Sequence, residues 1–183
     1  AVAGGRVFIG SDDQRLHAID LATGRGLWAF ATEDMIEAPP LGREGTVFFG
    51  SADMRFYAVD AASGAQRWRF EGGDQFLGGA NWLAASGELP ARVIVGCYDT
   101  KLYCLEAATG AKLWEYTTDN YVNGTPAVDP EGGGRIVFGG CDAVLHVVDG
   151  ASGAGLERIE LGEDCHVAGS VALAGGRAYF GHY

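Results

Sequence analysis

The sequence lacks any apolar run that approaches the ~18–20 residues needed to cross a membrane as a helix. It is also poor in basic residues, since 13 Lys and Arg face 24 Asp and Glu and give a formal net charge of −11. Nucleic-acid-binding surfaces need clustered Lys and Arg, so this charge argues against a nucleic acid as partner. It leaves metal ions, cationic ligands, basic partners or simple solubility as reasons for the acids.

Cysteine is scarce, and no two of the cysteines form a C-x-x-C pair. The four are Cys97, Cys104, Cys141 and Cys165. A zinc site is therefore not expected. Cys104 lies in an apolar run and is interpreted as a small buried hydrophobe. The cysteines do not indicate a compartment. Glycine, in contrast, is abundant, with 30 residues dispersed among aromatic and β-branched residues, which is typical of many tight turns between short strands.

Four segments align as copies of one unit, and a fifth copy begins near the end of the sequence. A glycine after the first apolar run marks the register, at spacings of 40 to 46 residues: Gly10, Gly50, Gly96, Gly139 and Gly181. This is the period of a four-stranded propeller blade. The runs are too short for helices and rich in aromatic and β-branched residues, which favours strands.

Each complete copy carries the pattern D/E-x-x-[ST]-G between two apolar runs. The carboxylate can accept hydrogen bonds from backbone N–H groups further round a turn, and the glycine supplies positive φ where the chain reverses. We therefore expect structural roles for the acids Asp20, Asp60, Glu106 and Asp149 and for the glycines Gly24, Gly64, Gly110 and Gly153.

A tryptophan follows the turn glycine by four residues in three copies, at Trp28, Trp68 and Trp114. A large ring at this position can fill the gap between adjacent blades while its N–H finds a carbonyl. The fourth copy has Glu157 at this position. The contact of its blade with the next blade should therefore be weaker, or the gap should be filled by other side chains.

The combined pattern A-x-D-x-x-[ST]-G-x-x-x-W resembles the tryptophan-docking signature of the PQQ-repeat family of quinoprotein alcohol dehydrogenase-like and BamB-like propellers. Residues 18–28 and 58–68 match it fully, residues 104–114 match with Cys104 and Glu106 as substitutions, and residues 147–157 lack the Trp. The signature is specific for the fold and not for function. Relatives include quinone-dependent dehydrogenases and non-enzymatic scaffolds.

The resemblance implies an all-β fold, a β-propeller of four-stranded antiparallel blades that is partial in this chain. We expect one propeller fragment over residues 1–183, with blades at about 1–34, 35–74, 75–119 and 120–164 and a partial fifth at 165–183. Family members generally close with seven or eight blades. We therefore expect either the remaining blades of a longer chain or self-association through the open edges.

Half of all acids are expected on one face, where the loops entering each innermost strand meet the turns after the second strand. They are Asp12, Asp13, Glu33, Asp34, Glu37, Asp53, Asp74, Asp99, Asp119, Asp142, Glu163 and Asp164. Only Arg15, Arg55 and Lys101 clearly balance them. The two interpretations are a cation-attracting funnel and a set of solvated turn acids.

The segments entering the innermost strands vary chemically while the surrounding framework repeats. Our alignment places Met35, Phe76, Tyr121 and His166 at one position, and Glu37, Gly78, Asn123 and Ala168 at another. The candidate ligand-binding residues of a central funnel are Glu37, Tyr121, Asn123, Cys165 and His166. The alternative is an ordinary channel lining. A nucleophilic Cys165–His166 pair is not expected, because adjacent residues on a strand point to opposite faces.

The leading functional hypothesis is a non-catalytic propeller module for protein interaction or scaffolding. The alternatives are part of a quinone-dependent dehydrogenase, or a sensor that binds a small ligand or cation. The resemblance would bring pyrroloquinoline quinone and calcium as cofactors, but the sequence contains no adjacent cysteine pair and no complete calcium site. No catalytic residue is assigned. The resemblance also favours a periplasmic or other extracytoplasmic location.

Overall fold

The computed structural model describes residues 1–129, 134–162, 165–167 and 169–181. Across these residues the chain is all-β, with eighteen strands and no helix. In particular, no described segment is a helix long and apolar enough to cross a membrane. The strands form four antiparallel four-stranded sheets and one two-stranded sheet, which confirms the predicted fold class of a partial propeller.

Each sheet is formed by strands in chain order. The first contains β1 (Val2–Ala3), β2 (Arg6–Ser11), β3 (Arg15–Asp20) and β4 (Gly26–Ala31). The second contains β5 (Leu41–Arg43), β6 (Thr46–Gly50), β7 (Arg55–Asp60) and β8 (Gln66–Glu71). The third contains β9 (Ala80–Leu83), β10 (Arg92–Gly96), β11 (Lys101–Glu106) and β12 (Lys112–Thr117). The fourth contains β13 (Ala127–Asp129), β14 (Arg135–Gly139), β15 (Val144–Asp149) and β16 (Gly155–Glu160), and the fifth contains β17 (Ala172–Ala174) and β18 (Arg177–Tyr179).

The first strand of each sheet lies at the hub of the arc. Strand β1 contacts β5, β5 contacts β9, β9 contacts β13, and β13 contacts β17. The sheets therefore fan out from a common axis, with the first strand innermost and the fourth strand outermost, as in a propeller.

The hydrophobic core lies between the sheets. Every residue of β6 and β10 is buried, because each of these strands is covered by a neighbouring sheet on both faces. This explains why their sequences are continuously apolar and do not alternate. Every residue of β16 is exposed, and the described residues that follow it form only the two-stranded fifth sheet.

The indole of one sheet lies against the turn glycine of the next. Trp68 donates its Nε1–H to the carbonyl of Ala107 over 3.0 Å, and Trp114 donates to the carbonyl of Gly150 over 3.3 Å. A Cβ atom added to Gly110 would lie 2.7 Å from the Trp68 ring. The ring therefore occupies the space that any other turn residue would need.

The turn acids hold the same corner together. In the first, second and fourth sheets the carboxylate accepts a backbone N–H from three residues later over 2.8 Å, as Asp20 does from Thr23. Glu106 accepts from the hydroxyl of Thr109. Hydrogen bonds from Arg67 and then Ser63 hold the pKa of Asp60 well below its ordinary value. The turn glycines follow with φ between 70° and 75°, a conformation that disfavours side chains.

We predict that Gly110→Ala lowers the free energy of unfolding by about 2–4 kcal/mol, because the new methyl group combines an unfavourable φ with overlap of the Trp68 ring. Gly24→Ala is the matched control. Gly24 has φ 70° but nothing lies within 4 Å of its virtual Cβ, so its cost should be about 1 kcal/mol. Urea denaturation of both variants measures the difference. Equal losses would contradict a role for the indole contact.

Candidate functional site

Two kinds of loop meet on one face of the arc, here called the loop face. They are the loops entering each innermost strand and the turns between the second and third strands of the preceding sheet. Four backbone bonds of 2.9–3.2 Å join them, from the N–H groups of Ile36, Phe76, Val122 and Val167 to the carbonyls of Ser11, Ser51, Cys97 and Gly140, respectively. The acids expected on this face occupy these loops, except that Glu163 and Asp164 lie outside the described residues.

The entering loops and the turns alternate around the axis at their innermost points. Three further backbone bonds of 3.0 Å run from Ala52 N–H to Met35, from Tyr98 N–H to Gln75 and from Cys141 N–H to Tyr121. His166 continues the series by donating its Nδ1–H to the carbonyl of Cys141 over 3.0 Å. We call these seven residues the mouth ring: Met35, Ala52, Gln75, Tyr98, Tyr121, Cys141 and His166.

These bonds correct the sequence alignment by one residue in the second entering loop, the one that leads into the third sheet. Gln75, and not Phe76, is equivalent to Met35 and Tyr121, because its carbonyl accepts the corresponding bond. Phe76 is fully buried and is equivalent to Ile36. The position predicted for Glu37, Gly78 and Asn123 shifts by the same one residue, so that Leu77 takes the place of Gly78. The fourth residue predicted at this position, Ala168, lies outside the described residues.

A different set of acids, in the turns between the second and third strands of three successive sheets, connects each sheet to the preceding one. Each carboxylate accepts from a ring side chain four residues later in its own sheet and from a backbone N–H of the preceding entering loop. Asp53 accepts from the hydroxyl of Tyr57 (2.6 Å) and from the N–H of Glu33 (3.1 Å). Asp99 accepts from the hydroxyl of Tyr103 (2.6 Å) and from the N–H of Gly73 (2.9 Å). Asp142 accepts from Nε2 of His146 (2.8 Å) and from the N–H of Asp119 (3.4 Å). We call Asp53, Asp99 and Asp142 the clamp acids. Sequence reasoning had treated them as funnel or solvation acids and missed this role.

The fourth-sheet clamp is the most deeply buried. The side chains of His146 and Asp142 are 0% and 2% exposed. His146 stacks on Phe138 at a centroid distance of 5.0 Å and its Nδ1 lies 3.2 Å from the hydroxyl of Tyr116. Burial works to raise the pKa of the Asp142 carboxyl, but the hydrogen bond and charge of His146 outweigh it and hold that pKa below its ordinary value.

The structure brings three of the five candidate residues together at the inner end of the fourth and fifth sheets. Tyr121 and His166 belong to the mouth ring, and Asn123 hydrogen-bonds the Cys141 thiol. Glu37 is exposed in the loop that leads into the second sheet. Cys165 is buried, at 7% exposure. The candidates thus divide between a cluster, a separate surface acid and a core residue.

A pair of tyrosines is the largest aromatic feature of the mouth ring. The rings of Tyr98 and Tyr121 stack at a centroid distance of 4.9 Å and an interplanar angle of 21°. Tyr121 is 45% exposed. Sequence reasoning found Tyr121 and missed Tyr98, because the partner comes from a turn in the preceding sheet.

Three of the four thiols are held in their protonated form. Burial raises the pKa of Cys97 and of Cys104 to about 12. Burial and then the charge of Asp142 raise the pKa of Cys141, with a smaller opposing effect from Asn123. Since the thiolate is the reactive form, these environments disfavour nucleophilic chemistry at the three cysteines.

The residues that the structure describes include no group of three or more His, Cys, Asp or Glu side chains placed to hold a metal ion. Glu37 and Asn123, the two oxygen donors considered from the sequence, enter from the second and fourth sheets.

A family model described as "Outer membrane protein assembly factor BamB" matches residues 1–181. The chain belongs to this BamB-like family of PQQ-repeat propellers. A search of proteins with curated functions finds no match.

Two solved structures resemble the BamB-like chain along its whole length. The crystal structure of BamB from Moraxella catarrhalis has a TM-score of 0.81 and 23% identity, and the match covers 100% of this chain and 54% of that chain. The computationally designed Ika8 protein has a TM-score of 0.82 and 17% identity, with the same two coverages. At these identities the likeness shows the fold alone. The chain spans about half the length of both structures.

We predict that Asp142→Asn lowers the free energy of unfolding of the BamB-like chain by about 1–3 kcal/mol at pH 7, because a charged acceptor of His146 is lost in a buried site. The pKa of Asp142 is depressed in the folded state, so its contribution is present above the unfolded value of about 3.9 and is lost as pH falls through the folded pKa. The difference from wild type should therefore shrink below about pH 4. Urea denaturation at several pH values measures it.

Asp13→Asn is the matched control for this prediction. Asp13 contacts His17 with the same four-residue spacing and the same 2.8 Å distance, but the two side chains are 49% and 35% exposed. Water can replace the lost contact there, so stability should change little. A loss as large as that of Asp142→Asn would show that burial is not the source of the effect.

Proposed function

We propose that this chain is part of an extracytoplasmic propeller scaffold that binds protein partners during outer membrane protein assembly. The observation that carries the proposal is the match of residues 1–181 to the BamB family model. The partner and the compartment come from that family, and the coverage of about half of the BamB chain leaves room for further blades.

The geometry of the loop face supports a recognition surface. Its backbone is fixed by repeated hydrogen bonds and by the clamp acids, which limits the conformational entropy lost on binding. Its outward positions differ from sheet to sheet, as Met35, Gln75, Tyr121 and His166 show. A rigid framework with chemically varied loops is how repeat scaffolds present binding residues.

The outer face of the first sheet supports contact with a further blade. Ile9 is 52% exposed there, and a cavity of about 610 Å³ lies beside Gly24 and Trp28. The corresponding faces of the second and third sheets each receive the indole of the preceding sheet. A blade from the rest of a longer propeller is the occupant that fits this repeat.

Site-specific photocrosslinking in the native cells tests the proposal. A benzoylphenylalanine at position 121 should crosslink to a component of the outer membrane protein assembly machinery, identified by mass spectrometry. The same group in place of Leu27, which is 46% exposed on β4, is the control and should give no such product. The proposal is wrong if position 121 yields no assembly component, or if both positions yield the same products.

A further inference from the structure

The Tyr98–Tyr121 pair presents a preorganised aromatic surface. Tyr98 is fixed by its N–H bond to Gln75, and Tyr121 by its N–H bond to the side chain of Asn120 over 2.8 Å and by its carbonyl bond from Cys141. The two rings come from different sheets and stack at 4.9 Å. Tyr121 nevertheless keeps 45% of its surface exposed, so a ring face held in place is available to a ligand.

The surroundings of this pair are acidic. Asp99 follows Tyr98 directly, and Asp74 lies beside it, since the carbonyl of Asp74 accepts from the Cys97 thiol over 3.2 Å. Among the described residues of the loop face, five carboxylates form no ion pair: Asp12, Asp34, Glu37, Asp74 and Asp99. The loop face therefore carries an excess of unpaired negative charge, which adds to the negative quadrupole of the ring faces.

Three cations on or beside the loop face are engaged elsewhere. Lys101 pairs with Glu115 at 3.0 Å. Arg55 pairs with Glu33 at 2.7 Å, and Arg158 pairs with Asp119 at 2.9 Å. Within the part of the chain that the structure describes, the cation–ring contacts are those of Lys101 and Lys112 with Tyr103. The Tyr98–Tyr121 pair thus has the chemistry of a cation site without a cation from its own chain.

We propose that the Tyr98–Tyr121 pair anchors an arginine side chain of a basic segment in a protein partner. A planar guanidinium stacks on the exposed ring of Tyr121 while the carboxylate of Asp74 supplies the complementary charge. This inference rests on the proposed function and names the chemistry of the partner. A second copy of the chain is disfavoured as occupant, since each copy carries a net charge of −11.

Fluorescence anisotropy with the full chain tests the anchor. The probe is a fluorescein-labelled decapeptide of alternating arginine and serine, and the reference peptide has glutamate in place of every arginine. The arginine peptide should bind and the glutamate peptide should not. Tyr121→Ala should weaken binding by about fivefold, the value expected for one exposed cation–ring contact, whereas Tyr121→Phe should stay within about twofold because the ring face remains.

Two control variants separate the anchor from general electrostatic attraction. Tyr179→Ala removes a tyrosine that is 53% exposed on β18 and should leave binding unchanged. Asp74→Asn should weaken binding and reduce its dependence on salt, whereas Glu44→Gln, in the turn between β5 and β6 on the opposite face, should do neither. Equal effects of Tyr121→Ala and Tyr179→Ala, or binding of the glutamate peptide, would overturn the anchor.

The outcome is distinguishable from that of the proposed function. Crosslinking of assembly components from position 121 without arginine-dependent binding would leave the scaffold in place and refute the anchor. Arginine-dependent binding that is weakened by Tyr121→Ala, without crosslinks to assembly components, would support the anchor and refute the proposed partner class.

Discussion

In this chain, an indole from one sheet lies against a turn glycine of the next sheet, and this contact recurs between the first four sheets. Within a sheet, backbone ladders hold the strands together, but between sheets the stability must come from side-chain packing and a small number of hydrogen bonds. The indole is the largest side chain available for that gap. Gly64, Gly110 and Gly153 each receive one, with virtual Cβ distances of 2.6–2.7 Å.

The clamp acids add a second connection on the opposite side of each sheet. Asp53, Asp99 and Asp142 each join a ring side chain of their own sheet to a backbone N–H of the preceding entering loop. A carboxylate suits this position because its two oxygens accept several donors at once. The acidity of the loop face is thus partly a structural requirement, and the carboxylates outside the clamps are the ones free to shape recognition.

The mouth ring shows how one frame carries different chemistry. Six of its members are placed by backbone hydrogen bonds, so their side chains are not needed for this contact and can vary. His166 joins through its own imidazole. In the third and fourth sheets this freedom produces the stacked Tyr98–Tyr121 pair and the nearby His166. The same separation of frame and surface explains why the resemblance to BamB and to a designed protein extends over the whole chain at low identity.

The sequence by itself determined the repeat, the strands, the turns and the family, because a period of 40 to 46 residues and the spacing from Asp20 to Trp28 are local patterns that each copy repeats. It also identified Tyr121, Asn123 and His166 as variable positions. Only the tertiary structure decided that Gln75 and not Phe76 faces the mouth, that Asp142 is a buried clamp, and that Tyr98 is the partner of Tyr121. The reason is physical: these contacts join residues of different sheets, and no short-range pattern encodes which residue of one sheet meets which residue of the next.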